Sequence, residues 1–343
     1  MARLEMTVEL IEDKKLWDQF VDDNPYGVLS HKWDFLQIAE RHSGYKLRTY
    51  GVYKGDELLG IYPLFYKRTK GFKTIFSPPF RWGIPYLGFL VSQEYDRLKQ
   101  SKKESFLNSF LGEMENEIQV YSPDYMLIYT VPNFLDMRFF KWNNYFVSPD
   151  YTYAVDLNLP LDEIWNNFHK DVKRCVKLAD SSGLELRMSD DISNLHERQE
   201  RRYREKAANF SMDADYLKEL LKAYPDNIKV YYVYNGKGEV VSGMISQEYN
   251  GRFLVWMGIA RAVEHANEFM IWKLIEQAQL EGLKKFEIAG ANVRDQCQFK
   301  SRFSPSLEVW YRIYKRSRVG KAAEWTHANL YEKILSQKRK ALL

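Results

Sequence analysis

Residues 228–259 read IKVYYVYNGKGEVVSGMISQEYNGRFLVWMGI. They contain three β-like runs, at 228–234, 240–249 and 253–259, separated by Asn235-Gly236 and Asn250-Gly251. Both dipeptides are hairpin signals, because both central residues of a tight hairpin turn must tolerate positive φ. The stretch therefore predicts an antiparallel meander. Downstream, Ile271, Leu274, Ile275 and Ala278 share one face of a helix over 266–280 that ends at Gly282. A strand at 285–289, a short helix over 292–303 and a strand at 307–314 follow. Upstream, Pro160 opens a helix to about residue 179, proline being at home in a first turn. A strand at 184–188 and helical segments at 192–207 and 214–224 lead from there to the meander, with Pro225 as the stop.

Toward the N-terminus the same order recurs. A strand at 6–10 and helices at 14–20 and 31–42 precede β-like runs at 47–53 and 58–66, joined by Lys54-Gly55-Asp56. Residues 72–80, with Pro78-Pro79, read as irregular, 85–91 as a strand, 101–120 as a long helix, 124–130 as a strand and 132–141 as a short helix. The chain then reads as extended to about residue 150. Helix, three antiparallel strands, helix, strand, helix, strand thus occurs twice, as a repeat of architecture without likeness of residues. That order is similar to the GNAT acyltransferase fold. The expected class is α+β: two tandem GNAT-like domains, 1–152 and 153–343, each a mixed, mainly antiparallel sheet flanked by helices, the second ending in a basic helix.

Composition narrows the field. Of 343 residues, 45% are apolar, 28% charged and 15% aromatic, which excludes a disordered, collagenous or coiled-coil chain. No apolar run approaches the ~20 residues that span a bilayer, and the first residues show no export signal. The two cysteines, Cys175 and Cys297, have no C-x-x-C spacing, which argues against a disulfide scaffold or a cysteine zinc site. A cytoplasmic location, peripheral to the inner membrane face at most, is the expectation. Charge is concentrated late: residues 312–343 hold nine Lys/Arg against Glu324 and Glu332, while the preceding residues are net acidic. Val319, Ala322, Ala323, Thr326, Leu330 and Ile334 fall at helical spacing there, giving an amphipathic helix with a basic face. A solvated face and an anionic partner, RNA or a membrane surface, both stay open for it.

Residues 161–179, LDEIWNNFHKDVKRCVKLA, with Gly183, then 281–290, EGLKKFEIAG, and 298–303, QFKSRF, carry a more specific resemblance. Residues 30–33, SHKW, and 61–65, IYPLF, agree less closely. Together they resemble the Fem family of ligases and its wider relatives, which have two tandem GNAT-like domains. Those enzymes transfer an aminoacyl group from charged tRNA to an amine on a lipid- or nucleotide-linked peptide. The resemblance implies that Lys300 is the catalytic-site lysine, with Phe299 beside it. It also implies that Trp33 contacts substrate, and that Arg204 and Phe210 match the stretch facing the acceptor. Three departures stand out. Gln37 occupies the position of a lysine found in members that bind peptidoglycan precursors. No heptad stretch between 179 and 228 supplies a helical arm. The acidic residue of the strand before Gly290 appears only as Glu287.

The chemistry of these residues can be read independently. Lys300, on a short helix after a strand ending in Gly290, could place an ammonium where charge develops in acyl transfer, or bind a donor phosphate. A surface lysine beside a packed Phe is the alternative. Gly290 suits close approach of backbone to a ligand; Asn292 reads equally as a ligand contact or a helix cap. Lys170, Lys173, Arg174 and Lys177 lie opposite the apolar set Leu161, Trp165, Phe168, Val172 and Val176, as a solvated face or a phosphate-binding stripe. Arg201, Arg202, Arg204 and Lys206 form a second basic cluster. Acyl-CoA enzymes of this fold hold the pyrophosphate with a glycine-rich turn before the helix after the third strand. Neither residues 260–267 nor residues 91–95 contain a glycine. The six histidines show no paired ligand spacing, so no metal is expected, and no G-x-S-x-G or Walker A sequence occurs. Cys297 reads as a small apolar residue before a nucleophile, and His265 as a cap before a proton shuttle.

The expected activity is transfer of an aminoacyl or other acyl group to an amine, with aminoacyl-tRNA favoured over acyl-CoA as donor and no bound cofactor. The implied partners are charged tRNA or another phosphate-bearing donor, and an amine-bearing acceptor. Two rivals remain: an acyl-CoA or carrier-dependent N-acyltransferase acting on a cell-surface glycan or small amine, and a non-catalytic protein that binds RNA or a membrane surface.

Overall fold

The computed structural model describes residues 5–205, 210, 212–259 and 265–326. Among these, residues 5–148 and 311–326 form one compact unit, and 149–205 with the described part of 210–310 form the other. The division expected at 152/153 falls inside a strand. Residues 311–326, expected with the second half, contribute to the first unit. A sequence pattern shows that a strand exists; which edge it joins is decided by pairing that the pattern does not encode.

In the first unit β1 (Thr7–Leu10), β2 (Lys46–Lys54), β3 (Glu57–Thr69) and β4 (Phe72–Ser77) form an antiparallel run. Between β1 and β2 lie α1 (Lys14–Asp22) and α2 (Trp33–Ser43). After β4 come β5 (Leu90–Val91), paired to β3, then α3 (Glu94–Arg97) and α4 (Gln100–Val120). β6 (Tyr125–Tyr129) is parallel to β4, and α5 (Arg138–Trp142) follows it. α4 exists because Phe106, Leu107, Phe110, Leu111, Met114 and Ile118 recur every three or four residues and bury one face. Residues 72–77, expected to be irregular, pair on both sides, and the prolines at 78–79 end that strand rather than prevent it. The strand expected over 85–91 is reduced to its last two residues.

β7 (Phe146–Asp156) leads into the second unit, which holds α6 (Leu161–Asn167), α7 (Lys170–Ser181), β8 (Glu185–Ser189), α8 (Ser193–Glu205) and α9 (Ala214–Ala223). The meander follows as β9 (Ile228–Tyr234), β10 (Val240–Tyr249) and β11 (Arg252–Gly258), then α10 (Ala266–Leu280), β12 (Lys285–Glu287) and α11 (Arg294–Lys300). β13 (Ser306–Arg316) and α12 (Arg318–Thr326) close the described chain, and residues 312–316 of β13 pair antiparallel with β6. β8 to β11 are antiparallel in order; β12 is parallel to β11 and antiparallel to β7. β10 is buried from Val241 to Glu248 without alternation, as a strand covered on both faces must be. Each unit therefore repeats the expected order, with a strand, a long helix and a parallel partner strand: β4–α4–β6 and β11–α10–β12. No helix among the described residues is long and apolar enough to cross a membrane.

Two local readings change. The helix expected from Pro160 to about 179 is broken at Phe168-His169, both extended. There Phe168 is fully packed, and the His169 N–H donates to the Arg302 carbonyl at 2.9 Å. Asn250-Gly251 forms the expected turn, with φ of +51° and +72°. At 235–239 the loop is longer: Asn235 Oδ1 accepts from the Lys237 and Glu239 N–H groups at 3.0 Å, and Gly238 takes the positive φ. Lys206, residues 260–264 of the glycine-free turn, and Leu330, Ile334 and the basic residues after Thr326 lie outside the described residues.

α12 docks through Gly320. A Cβ there would lie 2.0 Å from the Asp124 carbonyl oxygen, a backbone atom that cannot rotate away. Gly320→Ala is expected to cost ~1–3 kcal/mol by overpacking, read as a lower thermal midpoint; an unchanged midpoint would show that the helix does not dock in this way.

Candidate active site

β11 and β12 pair through three residues: Arg252 with Lys285, Phe253 with Phe286 and Leu254 with Glu287. Beyond them each chain keeps a different neighbour. β11 stays on β10 as far as Gly258, through a bulge in which Trp256 is the extra residue. The chain after β12 stays on β7, with Ile288 N–H donating to Tyr153 O and Ala291 N–H to Tyr151 O, each at 2.8 Å. The two strands therefore part, opening a cleft in the sheet at the C-terminal end of the parallel pair. Gln199 Nε2 on α8 holds the Gly258 carbonyl at 2.6 Å and fixes the β11 side.

The β12 side begins with a buried charge chain. Glu287 is fully buried, accepting from Thr152 Oγ1 at 2.6 Å and from the Arg252 guanidinium at 2.8 Å. The same guanidinium reaches Glu308 at 2.8 Å, and Lys285 also pairs with Glu308. Burial works against the Arg252 charge, but the two carboxylates hold its pKa above the ordinary value. Burial likewise works against the Glu308 charge, and Arg252 and Lys285 outweigh it, so that carboxyl titrates below its usual range. Buried charges persist when every one is paired in this way.

Next come Ala289 and Gly290, both in the left-handed region with φ of +56° and +42°. Glycine adopts that region freely; an alanine there costs roughly 1–2 kcal/mol. The turn aims both carbonyls at Lys300 Nζ, which donates to Ala289 O at 2.6 Å and to Gly290 O at 3.1 Å. Burial pushes the Lys300 pKa down from 10.5 to about 8, with Cys297 and Glu287 acting the other way. Cys297, one helical turn before Lys300, is hydrogen-bonded to the Tyr153 hydroxyl, whose pKa burial and that bond raise.

The helix bearing Lys300 is anchored by aromatic edges. Phe299 meets Phe303 at 5.4 Å, Phe303 meets Phe168 at 5.3 Å, and Phe168 meets Trp272 at 5.5 Å. Lys300, Phe299, Gly290 and Asn292 are thus brought together. Asn292 is not the helix cap, a position held by Val293. Its amide instead clamps Tyr151, accepting from the N–H at 2.9 Å and donating to the carbonyl at 3.1 Å.

Other expected residues lie elsewhere. Arg204 points to solvent on α8, 3.9 Å from Glu200. Lys173 and Arg174 lie on α7, along an open groove of about 550 Å³. Trp33 belongs to the first unit, where its backbone N–H donates to Asp18 Oδ1 at 2.8 Å and its ring meets Trp17 edge-on at 6.2 Å. His31 beside it is fully buried and held neutral, its pKa pushed down to about 3 by burial. Sequence spacing showed no metal set, yet folding brings donor atoms of Cys175, His265 and Glu268 within 4.8 Å of one another. Arg302 already pairs with Glu268 at 3.3 Å, so that carboxylate is engaged by a cation of the protein itself. Thr152, Tyr153, Arg252 and Glu308 escaped the sequence reading because they are scattered across a supposed linker, a turn flank and a strand.

Residues 166–301 match the acetyltransferase (GNAT) domain family, a span that ends one residue after Lys300. Over this segment the chain is similar to a GNAT acetyltransferase domain. No curated protein matches the chain. Among solved structures, FemX is 14% identical, covering 89% of this chain and 96% of its own, with a TM-score of 0.67. The C-terminal DUF2156 domain of a protein assigned as a lysylphosphatidylglycerol synthetase from Agrobacterium fabrum is 12% identical, covering 93% and 96%, with a TM-score of 0.55. L-PGS from Bacillus licheniformis is 11% identical, covering 89% and 93%, with a TM-score of 0.51. At such identities the likeness establishes a shared fold, and the fold is the tandem GNAT-like one expected.

Two outcomes follow from the electrostatics. Glu287→Ala strips Arg252 and Thr152 of their buried partner and is expected to cost roughly 3–5 kcal/mol in denaturant unfolding; a loss near zero would contradict the charge chain. Lys300 binds its proton up to 10.5 when unfolded but only to about 8 when folded. The unfolded state therefore holds more protons in that window, and stability should rise with pH between the two values. Lys300→Met should flatten this rise, and an unaltered rise would contradict the assignment.

Proposed function

We propose that the protein transfers the acyl group of an aminoacyl-tRNA to an amine, with the Lys300 ammonium stabilising the oxyanion. The observation that carries this reading is a half-buried ammonium, clamped by the Ala289 and Gly290 carbonyls at the lip where β11 and β12 part. An ammonium has three N–H donors; two are used in the clamp, and the third, with the full charge, serves the reacting carbonyl.

In the reaction the amine nitrogen attacks the ester carbonyl, a C–N bond forms, and the carbonyl electron pair moves to oxygen beside Lys300. The tetrahedral adduct collapses with cleavage of the ester C–O bond, and the ribose hydroxyl leaves with the proton shed by the amine. An ester is already activated, so positioning and charge stabilisation supply most of the catalysis. The glycine-free sequence before α10 supports an ester donor over acyl-CoA. So does a shared fold with FemX and with a protein assigned as a lysylphosphatidylglycerol synthetase, whose named product carries a lysyl group. The acetyltransferase description of the matched domain favours a second reading, acetyl transfer from acetyl-CoA. Use of charged tRNA implies a cytoplasmic protein; contact with the membrane face would bring it to a lipid-linked amine.

The test is transfer of labelled aminoacyl groups from total charged tRNA to the amine-bearing fraction of a cell extract. Lys300→Ala is expected to lower kcat/KM by about 10²–10³, the cost of losing one oxyanion donor. Wild-type kcat/KM should fall as pH rises through about 8, because the ammonium is lost there. Lys300→Arg, charged throughout, should lack that alkaline limb. Full activity in Lys300→Ala would overturn the role of Lys300, and transfer from acetyl-CoA alone would establish the second reading.

A further inference from the structure

The groove along α7 lies outside the cleft and has its own chemistry. Trp165 and Asn166 form one wall, and Lys170, Lys173, Arg174 and Lys177 line it along one helix face. At 1.5 Å per residue these cations spread over about 10 Å, in three levels one turn apart. Acids do little to neutralise them: Asp171 stands 4.0 Å from Arg174 and 3.4 Å from His169, and Asp180 is drawn to Lys273 at 3.5 Å. Lys173 donates to the Asn166 carbonyl at 3.1 Å, which ties the cation row to the aromatic wall. The Trp165 ring is half-buried and backed by Trp272 at 4.7 Å and Phe168 at 6.0 Å, so the wall is stiff.

A row of cations beside a rigid ring is the combination that binds single-stranded nucleic acid, phosphates on the cations and a base on the ring. We propose that this groove binds a short single-stranded RNA segment, with consecutive phosphates on Lys170, Lys173, Arg174 and Lys177 and a base against Trp165. A concave, aromatic-walled groove favours this occupant over a flat anionic membrane. Assigning the RNA to the unpaired end of the acyl donor rests on the function proposed above; the affinity of the groove for RNA does not.

The probe is a fluorescent single-stranded oligoribonucleotide followed by anisotropy, against full-length protein and the double variant Lys170→Gln, Lys177→Gln, whose exposed positions leave the fold intact by thermal melt. Wild-type binding is expected to weaken with salt, and the double variant to bind at least tenfold more weakly. The slope of log Kd against log salt should fall by about 0.7 for each phosphate that the variant no longer neutralises. Equal affinity and slope in the two proteins would overturn the proposal. So would a loss confined to vesicles of anionic phospholipid, or to CoA, with RNA binding unchanged. The two readings fail separately. RNA binding through the groove without transfer from charged tRNA would sink the proposed activity alone, and undiminished transfer by a double variant that binds RNA normally would sink the groove alone.

Discussion

The carboxylate of Glu287 is buried where three strands meet, and its pairing sets the conditions for everything around the cleft. It ties Thr152 on β7 to Arg252 on β11 from its own place on β12, at the last residue where β11 and β12 remain paired. An isolated buried charge would be expelled or neutralised. Here the carboxylate has a hydroxyl and a guanidinium, and the guanidinium has a second carboxylate in Glu308. The arrangement holds the strands together up to one point and lets them diverge beyond it.

What happens beyond that point is a contest between backbone strain and an ammonium. Ala289 and Gly290 expose two carbonyls to one side, a conformation that two residues of ordinary sequence would not hold alone. Lys300 takes both carbonyls, and the aromatic edges of Phe299, Phe303 and Phe168 keep its helix in place. Removal from water lowers the Lys300 pKa, while the charge of Glu287 limits the fall. The result is a cation that is still charged at neutral pH but poorly hydrated, and such a cation stabilises a neighbouring anion far more than a surface lysine does. The lock on the turn and the catalytic role proposed for Lys300 use the same atom.

Much of this was legible in the sequence. The meander of β9, β10 and β11 follows from three β-like runs separated by Asn-Gly turn signals, of which Asn250-Gly251 forms the tight turn, and α4 and α10 follow from the spacing of their apolar residues. The Gly290 to Lys300 interval marked a candidate site through its likeness to Fem motifs, while spacing alone left a surface lysine beside a packed Phe as the alternative. The break at Phe168-His169 was not legible, since its cause is Phe303 and the Arg302 carbonyl, more than a hundred residues away. Nor was the pairing of residues 312–316 with β6, which depends on a partner distant in sequence. Arg252 resembled any cation after a turn, and Asn292 read equally as a ligand contact or a helix cap, until the Glu287 and Tyr151 partners were seen.

Donor identity tests the account most directly, because it can be measured before an acceptor is known. Filter binding would compare total aminoacylated tRNA with the same tRNA after deacylation, at moderate salt, with acetyl-CoA as competitor. A clear preference for the charged form, undisturbed by acetyl-CoA, is the expected result. Equal binding of the two forms, or displacement by acetyl-CoA, would contradict it and leave the likeness to FemX as one of fold alone.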